Sequence, residues 1–147
     1  MKYHKNFQRF KPQTLTITKT LLKDWGTSSE ETKWLKMNQW LSEAAQLYEI
    51  VRPNLAKDAN AGYGFYNRPK HKIYLSRPSV TTLLHEFRHS LQNHHKAQGF
   101  SGDWNDAEHD ARGWSLSLYF KVAPQSFKRL ANNGSILFVS PNDLTEG

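Results

Sequence analysis

Cysteine is absent from the 147 residues. That excludes a disulfide framework, a cysteine nucleophile, a zinc ribbon and a thiolate-held cluster. No apolar run approaches the ~20 residues of a membrane-spanning helix. The opening stretch, Met1 to Phe7, is not followed by the unbroken apolar segment of a secretory signal. The expectation is a soluble, cytoplasmic protein with no membrane partner. Internal repeats, low-complexity tracts, phosphate-cradling glycine loops, Ser-His-Asp arrangements and nucleic-acid-binding motifs are also missing.

Acidic residues are scarce at one end. Residues 1–23 hold six basic groups (Lys2, Lys5, Arg9, Lys11, Lys19, Lys23) and no acid. The net charge of +7 therefore belongs to this N-terminal segment, because the other 124 residues are almost balanced. A basic arm can bind nucleic acid or an acidic partner. The favoured expectation is plainer: a solvated, frayed terminus, since a nucleic-acid-binding domain usually carries its basic stripe across a folded face.

What the chain does have is aromatic and periodic. Aromatic residues make up 13%, enough to furnish a core despite a mean hydropathy of −0.75. At this length one domain, residues 1–147, is expected, with a loose tail over 140–147. Thr14-Leu15-Thr16-Ile17-Thr18 alternates and is β-branched, which predicts a first strand. Trp34, Met37, Leu41, Ala44, Ala45, Tyr48 and Val51 recur at helical spacing. They predict a long amphipathic helix over 29–51, capped by Ser28 or Ser29 and stopped by Pro53. Residues 57–62 read as a loop. Two short strands, 63–66 and 72–76, read as an antiparallel hairpin across Asn67 to His71. Val80, Leu83, Leu84, Phe87 and Leu91 form one stripe of a helix that opens at Pro78-Ser79 and runs to about His94. Ala107, Ala111, Trp114 and Leu118 mark a further helix over 104–120. A short helix follows from Pro124, and a last strand is predicted at 135–139. The class is α+β.

The chemistry sits on the third of these segments. His85-Glu86-Phe87-Arg88-His89 is H-E-x-x-H. Residues four apart on a helix share a face, so two imidazoles can hold one Zn²⁺ at ~2.0–2.1 Å each. Glu86 can reach the open side of that ion and take a proton from its bound water. Phe87 lies on the apolar stripe while His85 and His89 lie off it. A catalytic site wants a third protein ligand, and Glu108, His109 and Asp110 are the candidates. Glu108 is favoured because it adjoins the Ala107–Ala111–Trp114 stripe and reaches further than an aspartate.

The pair H-E-x-x-H with the later Glu108-His109-Asp110-Ala111 resembles the gluzincin group of zinc metallopeptidases. It is most similar to small ImmA/IrrE-type domains, whose late motif is E-x-E-A-N, and to a second family with a late E-x-x-A-D. The resemblance spans roughly residues 60–120. It implies a minimal zincin-like domain, with His85, His89 and Glu108 as zinc ligands and Glu86 as general base. The implied reaction is hydrolysis of peptide bonds in a protein or peptide substrate. The position after the motif alanine, acid or amide in those families, is Arg112 here. Support for a ligand histidine must then come from elsewhere, with Asp110 and Asp106 as candidates.

The same resemblance implies a cleft beside an edge strand that pairs with extended substrate. Lys72–Ser76 is the expected strand, either an edge or internal. Tyr74 and Trp104 are the candidate substrate contacts. Tyr63, Tyr66, Tyr74, Tyr119, His95 and Arg112 are candidate oxyanion donors. A different class of protein stands as the alternative: a binding or DNA-associated, SprT-like protein on the same scaffold, using the basic arm. His109 as third ligand would mark the SprT-like case.

Overall fold

The computed structural model describes residues 10–132. Five helices and one small sheet follow the order α1 (Pro12–Leu22), α2 (Glu30–Tyr48), β1 (Asn54–Lys57), β2 (Gly64–Asn67), β3 (Lys72–Leu75), α3 (Val80–Asn93), α4 (Ala107–Val122) and α5 (Pro124–Asn132). The class is α+β. Among the described residues, no helix is long and apolar enough to cross a membrane. The strand expected at 135–139, the tail at 140–147 and the first nine residues of the basic arm lie outside the described residues.

The strand expected at 14–18 is instead part of helix α1. Pro12 at its first turn suits a helix start, and Thr14, Thr18 and Leu21 fall on one buried face. That face docks on α2: Thr14 Oγ1 lies 2.6 Å from the Tyr48 hydroxyl, and Trp40 Nε1–H donates to Thr18 Oγ1 at 3.0 Å. The frayed-terminus expectation therefore fails for residues 12–22. Helix α2 starts as expected, with the Ser29 side chain accepting from the Thr32 N–H and two glutamates in its first turn. It ends earlier than 51, because Glu49 adopts the left-handed conformation of a helix cap.

The sheet departs from the sequence reading in one respect. Strand order is β1-β3-β2, with β1 parallel and β2 antiparallel to β3. The hairpin is present, but the sheet is mixed rather than purely antiparallel, because residues 54–57 add a parallel strand to β3. Strand β3, expected as either an edge or an internal strand, is central, and β2 is an edge. Gly64 lets that edge approach closely. A Cβ there would stand 2.7 Å from Leu75 Cδ2 and 2.8 Å from both Thr82 Cγ2 and the Tyr74 carbonyl oxygen.

Ile73 and Leu75 of β3 point into a core shared with Leu83, Leu84, Phe87 and Leu91 of α3, Met37, Trp40 and Leu41 of α2, and Trp114 and Leu118 of α4. Phe87, inside the H-E-x-x-H segment, meets Trp40 edge-on at 5.0 Å between centroids and has no exposed surface. Removing such a side chain typically costs about 3–5 kcal/mol. This packing fixes the rotation of α3 about its axis, and so decides where His85 and His89 point.

Candidate metal centre

Helix α3 begins at Ser79, whose hydroxyl accepts from the Thr82 N–H at 3.3 Å. With Phe87 anchored inward, His85 and His89 emerge one turn apart toward α4. A 3₁₀ turn, Trp104–Asp106, leads into α4 and brings Glu108 opposite them. His85, His89 and Glu108 each offer a ligand atom, all within 4.8 Å of one another. His89 Nε2 is 3.2 Å from His85 Nε2 and 2.7 Å from Glu108 Oε1, and His85 Nε2 is 3.3 Å from Glu108 Oε2. Donors at ~2.0–2.1 Å from a tetrahedral ion stand about 3.3–3.4 Å apart; the 3.2 and 3.3 Å separations match that, while the 2.7 Å contact between His89 and Glu108 is a hydrogen bond that must open by about 0.6 Å to admit an ion.

Hydrogen bonding behind His89 sets which of its nitrogens faces the others. Gln92 Nε2 donates to two groups that only accept, the Ala107 carbonyl at 3.0 Å and Asp110 Oδ2 at 2.8 Å. Gln92 Oε1 is thereby turned to His89 Nδ1 at 2.7 Å. Nδ1 must donate, so the neutral ring presents the lone pair of Nε2 toward His85 and Glu108. Asp110 in turn accepts from Arg88, which donates from Nε at 2.7 Å to Oδ2 and from Nη2 at 3.0 Å to Oδ1. Arg88 is 1% exposed and Asp110 6%. Arg88 Nη2 also donates to the Gln98 carbonyl at 2.8 Å.

Electron-rich atoms thus converge, and a proton or a metal ion must lie among them. Both imidazoles hydrogen-bond to Glu108 and hold its carboxyl well below the usual carboxylate range. Burial opposes a charge on His89, but hydrogen bonds to Glu108 and Gln92 outweigh it and raise its pKa. Glu86 is a separate case. It is 7% exposed, and burial raises its carboxyl above the ordinary value despite the neighbouring His85 and His89. Its carboxylate accepts from the Tyr66 N–H of the edge strand.

These groups line one cleft of about 480 Å³ with Gly64, Phe65, Tyr66, Arg68, Trp104 and Ala107. Trp104 therefore stands where the sequence places it. Tyr74 does not: its strand is central, and its ring stacks on Phe65 at 4.8 Å rather than lining the cleft. His109 is half-buried and outside the converging group, and Asp110 faces Arg88 and Gln92 instead. Asp110, one of two residues expected to support a histidine ligand, reaches His89 through Gln92. Asp106 occupies the N-cap of α4 without a capping side-chain bond.

Among the oxyanion candidates, Tyr66 lines the cleft but its hydroxyl is shared between His71 Nδ1 at 2.6 Å and Asn93 Nδ2 at 3.2 Å. Arg112 Nη2 is 3.9 Å from Glu108 Oε2. Tyr119 is buried beside Phe127, and Tyr63 and His95 do not line the cleft. Sequence reasoning missed Gln92, Arg88, Arg68 and Gly64. Only Gln92 carried a usable signal, its i+3 position from His89 on the same helix. Compared with protein-family models, curated proteins and solved structures, the chain matches none of them.

Proposed function

We propose that this chain is a minimal zincin-like metallopeptidase, with His85, His89 and Glu108 holding Zn²⁺ and Glu86 as general base. One observation carries the reading: three ligand atoms from two helices converge within 4.8 Å beside a buried glutamate in an open cleft. These three residues would hold Zn²⁺, which when bound would supply a water of lowered pKa and polarise a substrate carbonyl. Glu86, its pKa raised by burial, would take a proton from the attacking water and deliver it to the leaving amine. Its bond from the Tyr66 N–H holds the carboxylate against the edge strand. Strand β2, rather than β3, is the edge on which an extended peptide would pair. Arg88, Asp110 and Gln92 orient His89 and keep its Nε2 lone pair aimed at the ion.

The DNA-associated alternative draws less support. Its third ligand, His109, is outside the converging group, and the described part of the basic segment is a packed helix. The test is a comparison of zinc-loaded wild type and Glu86→Gln on an unfolded protein substrate. Wild type should cleave it, and Glu86→Gln should keep its zinc while losing about two orders of magnitude or more in rate. Equal activity of the two proteins would defeat the proposal.

A further inference from the structure

Arg68 lies in the turn between β2 and β3. Its guanidinium carbon sits over the Trp104 ring, 4.2 Å from the centroid. The contact joins the hairpin to the connection between α3 and α4, and both residues line the cleft with His85, Glu86 and Glu108. Trp104 is itself backed by Phe100, edge-on at 6.1 Å. Its turn is held by Asp103, whose carboxylate accepts from the Asn105 N–H at 2.9 Å. The aromatic platform is therefore positioned by its own surroundings.

A guanidinium stacked on an indole engages its flat face. Its five N–H donors lie in the plane and stay free for a planar acceptor. Among the described residues, no carboxylate forms an ion pair with Arg68. The two acids of the cleft are committed elsewhere, Glu108 to both histidines and Glu86 to the Tyr66 N–H. The hairpin supplies no acid either. Residues 59–85 contain Arg68, Lys70, Lys72 and Arg77 and no Asp or Glu. A preorganised fork of donors beside the candidate metal centre is thus left for a ligand's carboxylate, the partner it fits best.

We infer that Arg68, held on Trp104, is a carboxylate anchor, so that the cleft takes peptides presenting an acidic side chain or a free C-terminus on the Trp104 side of the bond cleaved. The inference deepens the peptidase reading and rests on it. Paired peptides separate the two sources of carboxylate: fluorescein-labelled octapeptides of Ala, Gly and Leu, with one Glu or one Gln scanned through every position, each with a free or an amidated C-terminus.

Binding is read by fluorescence anisotropy on zinc-loaded Glu86→Gln protein, with Arg68 intact or changed to Gln or Lys. Cleavage of the same peptides is read by mass spectrometry on wild type. A carboxylate at one position, or at the terminus, should tighten binding by about tenfold or more over its neutral counterpart. The ratio should fall to about one in Arg68→Gln, keep part of its size in Arg68→Lys, and shrink as salt is raised. Arg68 is an exposed turn residue, and an unchanged melting temperature in each variant excludes unfolding as the cause. Equal binding of acid and amide at every position, a preference that survives Arg68→Gln, or no binding of any peptide would overturn the inference. Carboxylate-selective binding without cleavage by wild type would defeat the peptidase reading and leave the anchor standing.

Discussion

Replacing Asp110 by alanine removes the only carboxylate that faces Arg88 among the described residues. The guanidinium is 1% exposed, sits over the Trp114 ring at 5.4 Å, and already has one nitrogen, Nη1, without a hydrogen-bond partner. Without Asp110, two charge-assisted bonds at 2.7 and 3.0 Å disappear and a buried cation is left with the Gln98 carbonyl alone. Breaking a buried pair in this way costs about 3–5 kcal/mol. At roughly 2–4 °C per kcal/mol for a domain of about this size, the melting temperature should drop by about 6–20 °C.

Replacing both partners tells whether the loss comes from the stranded charge. Arg88→Met with Asp110→Leu fills the same volume with apolar groups and should recover most of the stability. Urea unfolding of metal-free wild type, Asp110→Ala and the double variant measures all three. A loss under about 1 kcal/mol in Asp110→Ala would refute the reasoning. So would a double variant less stable than the single one.

Three further outcomes follow from the same geometry. Gln92→Leu removes the acceptor at His89 Nδ1 and should weaken zinc binding by about 10–100-fold, measured by competition with a chromophoric chelator. Gly64→Ala places a methyl group within 2.8 Å of the Tyr74 carbonyl oxygen, which cannot move aside as a side chain can. It should cost about 1–3 kcal/mol in thermal unfolding and displace the edge strand, with a larger loss of peptidase activity than of stability. In metal-free protein, the raised pKa of His89 adds stability below its unfolded value of 6.5 that is lost as pH rises through the folded value. The lowered pKa of Glu108 adds stability above 4.5 that is lost as pH falls through its folded value. The metal-free contact is thus strongest between those two values. Because zinc must displace the proton on His89, the gain in melting temperature on adding zinc should grow from pH 5.5 to 7.5. A gain independent of pH would contradict the assignment.

The helix bearing His85, Glu86 and His89 was legible because three local signals agree: the Ser79 cap, the 3.6-residue apolar stripe and the polar spacing of the motif. Glu108 was legible because two small residues, Ala107 and Ala111, mark where α4 can approach α3. Helix α1 was not, since Thr14 and Thr18 lie on one face in a strand and in a helix alike. What decides between the two is Leu21 and the polar contacts with Tyr48 and Trp40, which are distant in sequence. Strand β1 is four residues long, half-exposed and paired in parallel to a segment 18 residues on, so alternation could not mark it. The edge position of β2 depends on that pairing. The link from Arg88 through Asp110 and Gln92 to His89 joins two helices through side chains whose types serve many purposes, and only folding shows them in line.

The proposed activity depends on a metal ion shared by α3 and α4. Zinc titration of metal-stripped protein tests this directly, in wild type and in His85→Ala, His89→Ala and Glu108→Ala. One zinc per chain in wild type, with affinity reduced by several orders of magnitude in each histidine variant and clearly weakened in Glu108→Ala, is the predicted result. Undiminished zinc binding when both histidines are replaced would contradict it.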